Sequence, residues 1–257
     1  MDKREQLIQD FFSALPTDRV KLETPQHGFA FLDEMLTGGM TLEYGERVLC
    51  RAVYKYKFAN VPTWRMEAFI GSHVRKECNL CLYFRENANS MLCFNLDRAH
   101  KLSHLPIVPE MEATVRLLSD VLTTLGCQPL AVTSGKGYHL WCRLAEPVSN
   151  DTLYNFMLRA MAKALHGLHL KGLDHLRVQA RFYPDPRTLD KISLRLFGSE
   201  HVSTKVFSNV WTPDCLLDEE ASWTMFEEHR KLCTISVETF RSACETLGVK
   251  PLSAHVV

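Results

Sequence analysis

The sequence predicts an α/β fold of the α+β kind, and three neighbouring stretches carry that expectation. Ser90 to Asp97 reads as a strand with Leu92, Phe94 and Leu96 on a core face and Cys93, Asn95 and Asp97 on the other. Pro109 to Thr124 reads as an amphipathic helix, lined on one side by Met111, Val115, Leu118, Val121, Leu122 and Leu125 and stopped by Gly126. Pro129 to Val132 is a short apolar run suited to a buried strand. Past a glycine-containing turn, Tyr138 to Leu144 alternates: His139, Trp141 and Arg143 share one face, and Tyr138, Leu140, Cys142 and Leu144 the other. Strand, helix and strand across 90–134 read as a βαβ-like unit.

The flanking elements follow from the same periodicities. Residues 2–15 form an amphipathic helix on Leu7, Ile8, Phe11, Phe12 and Leu15, ended by Pro16. A short helix is expected from Phe29 to Leu36, stopped by Gly38-Gly39. Arg51 to Phe58, followed by Trp64-Arg65, interleaves basic and aromatic residues. Such a run can line a nucleic-acid strand, but the commoner meaning is an edge strand with a solvated lysine face. A helix over about Asp151 to Leu165 is capped by Asn150 or Asp151 and leaves at Gly167. Two further helices are expected over about 217–232 and 236–247, the latter capped by Ser236 and closed by Gly248. With no repeat, low-complexity tract or evident linker, residues 1–257 are expected to form a single catalytic-sized unit.

Composition narrows the class. The 257 residues are 46% hydrophobic and 23% charged, ordinary for a globular protein able to bury a core. Thirty basic residues balance thirty acidic ones, so nucleic-acid binding needs a local basic face. The charged start Met1-Asp2-Lys3-Arg4 is unlike a signal peptide, no apolar run is long enough for a bilayer, and no membrane partner is expected. Nine cysteines, mostly in apolar runs, suggest reduced thiols and an intracellular location. Cys78-Asn79-Leu80-Cys81 with His73 nearby invites a zinc reading. The run into Leu-Tyr-Phe favours two half-buried strand cysteines instead, and no zinc is expected.

Three stretches carry chemistry. Ser134-Gly135-Lys136-Gly137-Tyr138-His139 sets two glycines around a lysine between strands, a sensible anion cradle; the plain alternative is a hairpin whose Ser and Gly only make the turn. Asn95 and Asp97, two oxygen-bearing side chains two apart at a strand end, make half a site for a hard cation, or simply a polar strand end. Arg181 to Lys205 combines carboxylates with the phosphate-capable Arg195, Ser199, His201 and Lys205.

Taken in chain order, these stretches resemble the catalytic domain of the archaeo-eukaryotic primase (primase-polymerase) superfamily. The matching residues are Asn95-Leu96-Asp97, then Ser134 to Trp141, then Asp185-Pro186-Arg187-Thr188-Leu189-Asp190 before Leu194-Arg195-Leu196 and Gly198-Ser199-Glu200-His201. The likeness covers about residues 85–210 and departs at Asn95, where the family carries an acid. It implies two packed sheet–helix modules about a central active-site cleft, flanked by N- and C-terminal helices. It also implies nucleotidyl transfer with two Mg²⁺ or Mn²⁺ ions: template-directed primer synthesis or extension from nucleoside triphosphates on single-stranded DNA. Asp97, Asp185 and Asn95 would be catalytic and hold the metals, with Asp190 as a nearby helper. Ser134, Gly135, Lys136, Gly137, His139, Arg195, His201 and Lys205 would bind the nucleotide. A helicase or accessory replication subunit is an implied partner. The alternatives are a weakened or inactive nucleotide- or single-strand-binding module, and an end-joining repair polymerase.

Overall fold

The structure, a computed structural model, describes residues 2–13, 19–25, 56–62, 67–99, 109–189, 193–201, 204–232 and 234–250. In chain order the elements are α1 (Lys3–Ser13), β1 (Arg19–Pro25), β2 (Tyr56–Pro62), α2 (Glu67–Val74), β3 (Asn79–Leu82) and β4 (Ala88–Arg98). Next come α3 (Pro109–Thr124), β5 (Leu130–Thr133), β6 (Gly137–Ser149), α4 (Asn150–Leu170), β7 (Val178–Tyr183) and β8 (Leu194–Arg195). The last are α5 (Glu219–Leu232), β9 (Thr234–Ile235) and α6 (Val237–Thr246). The expected helix over Phe29 to Leu36, and Arg51 to Lys55 with Trp64-Arg65, lie outside the described residues. None of the described helices is long and apolar enough to cross a membrane. None of the described cysteines is joined in a disulfide, and all but Cys215 are buried.

The chain is mixed α/β and divides into two compact units. Unit 1 is Met1–Phe84 with Asp190–Ser208, and unit 2 is Arg85–Leu189 with Asn209–Val257.

Unit 1 holds a sheet in the order β2-β1-β3-β8, every neighbouring pair antiparallel. Its core includes Leu22, Phe69, Ile70, Leu80 and Phe197, each no more than 2% exposed. His73 sits within it. Its Nδ1 accepts from the Leu80 N–H at 3.2 Å, so Nε2 carries the proton and donates to the Phe197 carbonyl at 2.9 Å. Both ring nitrogens are thus spent on backbone groups, and Cys78 and Cys81 are buried.

Burial pushes the His73 imidazolium down to a pKa of about 4. The unfolded chain therefore binds this proton first as pH falls. Stability from neutral His73 is complete above the unfolded value of about 6.5 and is lost across the window from there to about 4, by roughly 3 kcal/mol. Urea midpoints between pH 7 and pH 4.5 should show this slope in the wild type and a flatter one in His73→Gln. Equal slopes would remove the assignment.

Unit 2 is built on parity. In β4 the core face is Leu92, Phe94 and Leu96, in β6 it is Tyr138, Leu140 and Cys142, and in β7 Phe182; these pack against Met111, Val115 and Leu118 of α3 and Phe156, Met157 and Ala160 of α4. Each such large side chain contributes roughly 1.5–3 kcal/mol by leaving water. The sheet order is β5-β6-β4-β7, with β9 added in parallel to β6. β4 and β5 both run antiparallel to β6, so they are parallel to each other with β6 inserted between them. The expected βαβ unit is therefore a split one.

Two helix details differ from the sequence reading. The cap of α4 is Ser149, whose side chain accepts from the Thr152 N–H at 3.3 Å. Asn150 instead turns inward, donating at 2.7 Å to the carbonyls of Arg85 and Glu86 and accepting from Asn89 at 2.6 Å. α4 also continues past Gly167 to Leu170. That glycine is a packing residue: a Cβ there would come within 3.3 Å of Leu117 on α3.

Candidate functional site

The second face of the unit 2 sheet, opposite α3 and α4, carries the polar residues. Residues directly paired across antiparallel strands share a face. The registers then define three rows. Gln179, Asp97 and Gly137 make one. Arg181, Asn95, His139 and Val132 make the next. Tyr183, Cys93, Trp141 and Leu130 make the third. Asn95 and His139 are buried, Asp97 is half-buried, and Arg181 is exposed. The His139 and Trp141 rings meet edge to face at 6.1 Å.

The expected anion cradle is a two-residue hairpin. The Ser134 N–H donates to the Gly137 carbonyl at 2.8 Å, leaving Gly135 and Lys136 at the tip. Gly135 has φ +84°, at the first loop position where a tight hairpin turn wants glycine. Gly137 is glycine for a different reason: a Cβ there would overlap the Leu96 carbonyl oxygen and reach 2.9 Å from its carbon. Its bareness lets β6 start directly against Asp97. The exposed Lys136 is thus held one residue from the Asp97 row.

Asn95 is tied on one side only. Its side chain hydrogen-bonds the Tyr183 hydroxyl, as does that of Arg181. Asn95 Oδ1 is buried with no hydrogen-bond partner, so the donor to Tyr183 is Nδ2. Burial raises the Tyr183 pKa, with Arg181 and Asn95 pulling against it, so the hydroxyl stays neutral.

Asp185 is placed elsewhere. Asp97 pairs with Gln179 near the start of β7, whereas Asp185 follows the end of β7 at Tyr183. The rows of Gln179 and Tyr183 alone are roughly 13 Å apart along the strand. Arg187 grips the carboxylate from two sides, Nε to Oδ1 at 2.9 Å and Nη2 to Oδ2 at 2.8 Å, and holds its pKa below the usual carboxylate range. Arg187 also donates to the Tyr154 hydroxyl at 2.6 Å, and Tyr154 packs edge-on against Phe182 of the helix face. A role for Asp185 at a cation needs Arg187 to let go. Among the described residues no three His, Cys, Asp or Glu side chains gather as a metal-binding group.

Comparison with known proteins adds this much. No protein-family model and no curated relative matches the sequence. The chain is similar to solved structures of a polymerase domain and of a primase. It is similar to the polymerase domain from Mycobacterium tuberculosis Ligase D in complex with DNA: 14% identity, 88% of this chain and 86% of that one covered, TM-score 0.49. It is similar to the catalytic domain of primase RepB' in complex with initiator DNA at 12% identity, with 90% and 96% covered and TM-score 0.37. A structure of primase RepB' matches at 13% identity, with 96% and 68% covered and TM-score 0.37. At such identities the chemistry has to be read from the residues.

Arg195, His201 and Lys205 belong to unit 1. Arg195 lies 3.7 Å from Glu23, and Lys205 3.7 Å from Glu200. The buried His201 accepts from the Thr204 N–H at Nδ1 (3.0 Å), and its carbonyl accepts from the N–H of Lys205, which is left-handed at φ +59°. Arg181 and Tyr183 share the face of Asn95 and Asp97, and motif reading passes over them. The available signal is the alternation of Gln179, Arg181 and Tyr183 with Ala180 and Phe182.

Proposed function

We propose that this chain is a nucleotidyltransferase that starts or extends short strands from nucleoside triphosphates on a single-stranded template. The observation that carries this reading is one face on which an orphaned buried amide oxygen, Asn95 Oδ1, stands two residues from the Asp97 carboxylate. His139 and the Gly135-Lys136 hairpin adjoin it. An unpartnered oxygen beside a carboxylate fits a hard divalent cation such as Mg²⁺ or Mn²⁺. When bound, such a cation supplies the charge that lowers the cost of forming an alkoxide and releasing pyrophosphate.

The residues do the rest. Asp97 supplies the negative charge that holds the cation, and Asn95 a neutral oxygen. Lys136, at the hairpin tip, offsets charge on the triphosphate, while His139, fixed edge-on by Trp141, offers a ring N–H to a phosphate oxygen. Burial of His139 and Asn95 keeps water from weakening these contacts.

A second reading, a nucleotide- or single-strand-binding module without catalysis, is favoured by the neutral Asn95 and the Arg187-bound Asp185. The test is incubation of the full chain with primed single-stranded DNA, unprimed single-stranded DNA or a broken duplex bearing a 5′-phosphate, with all four nucleotides and Mg²⁺ or Mn²⁺. Labelled product from either template supports the enzyme. Nucleotide binding with no product in either metal leaves the binding module. Product only on broken duplexes bearing a 5′-phosphate points to end joining.

A further inference from the structure

The three rows hold one acidic residue, Asp97, and one fixed cation, Arg181. Arg181 pairs directly with Asn95, about 4.8 Å away across the ladder, and the Tyr183 hydroxyl accepts from both side chains. This arrangement has a direction. An aspartate at position 95 would meet the guanidinium as an ion pair and spend its charge. An asparagine leaves that charge for a ligand and keeps Oδ1 turned away from Tyr183. Two dications close together would also face Arg181 with Asp97 as the one carboxylate on the three described rows to offset them. The site suits one divalent ion and one guanidinium.

We propose that Arg181 is a further nucleotide-binding residue, taking phosphate oxygens in the place of one of the two expected cations, with a single divalent ion held by Asp97 and Asn95 Oδ1. This rests on the nucleotide reading of the same face. Tyr183 is a positioning residue that holds the Arg181 fork and the Asn95 amide in register. The exposure of Arg181 makes it a safe position to change without unfolding the unit.

Two measurements on the full chain test it, with thermal melts as a check on folding. The first is the number of Mn²⁺ ions bound, by electron paramagnetic resonance, with a non-hydrolysable deoxynucleoside triphosphate present. Counts are taken relative to the analogue alone. The wild type and Asn95→Asp should each hold one ion, because the new carboxylate pairs with Arg181. The double variant Asn95→Asp, Arg181→Gln should hold two. The second is affinity for the same analogue in EDTA. It should fall about 10-fold or more in Arg181→Gln, recover largely in Arg181→Lys, and fall less in Tyr183→Phe. Two ions in the wild type or in Asn95→Asp would overturn the proposal, as would unchanged EDTA affinity in Arg181→Gln. One ion and Arg181-dependent binding without strand extension would keep it and remove catalysis alone.

Discussion

Replacing Gly137 with alanine is expected to cost unit 2 about 3 kcal/mol or more and to abolish function at the Asp97 row. The added methyl would overlap the Leu96 carbonyl oxygen, a backbone atom in the centre of the sheet that has no rotamer to escape through. Relief requires β6 to part from β4 where Asp97 pairs with Gly137, just where the hairpin brings Lys136 alongside. Gly135→Ala meets a different obstacle, a left-handed φ of +84°, and should cost only about 1–2 kcal/mol. Urea midpoints and nucleotide affinity for the two variants separate them: Gly137→Ala loses both, Gly135→Ala mainly a fraction of stability. Equal, small losses would mean that the close approach of β6 to Leu96 is not maintained in solution.

Asp97→Asn is expected to remove strand extension by roughly 10³-fold or more, about 4 kcal/mol of barrier. It deletes the one carboxylate on the three rows while keeping side-chain shape, so the packing of the sheet should be kept. The same change should weaken Mn²⁺ binding, a readout independent of turnover. A variant with near-wild-type extension would place the chemistry away from this face.

The two faces of the unit 2 sheet were legible because parity alone decides them. Leu92, Phe94 and Leu96 go to the helices, and Asn95 and Asp97 go the other way, whatever the strand order. The strand order was not legible. Insertion of β6 between β4 and β5 depends on pairings that local pattern does not encode, and the same holds for the neighbours of Asn95. His139 could be read from its motif, but Arg181 reaches Asn95 only through the β4–β7 register. Gly167 shows packing overriding propensity, since a residue that ordinarily ends helices sits inside α4 where Leu117 crowds it. For Asp185, the sequence Asp-Pro-Arg displays both partners, yet only the turn geometry shows Arg187 folding back onto the carboxylate.

The most direct measurement is anomalous diffraction from crystals grown with Mn²⁺ and a non-hydrolysable deoxynucleoside triphosphate. The expected result is one Mn²⁺ peak within roughly 2.0–2.4 Å of Asn95 Oδ1 and an Asp97 oxygen, with the triphosphate against Lys136 and His139. A nucleotide bound away from this face, with no manganese at Asp97, would contradict it.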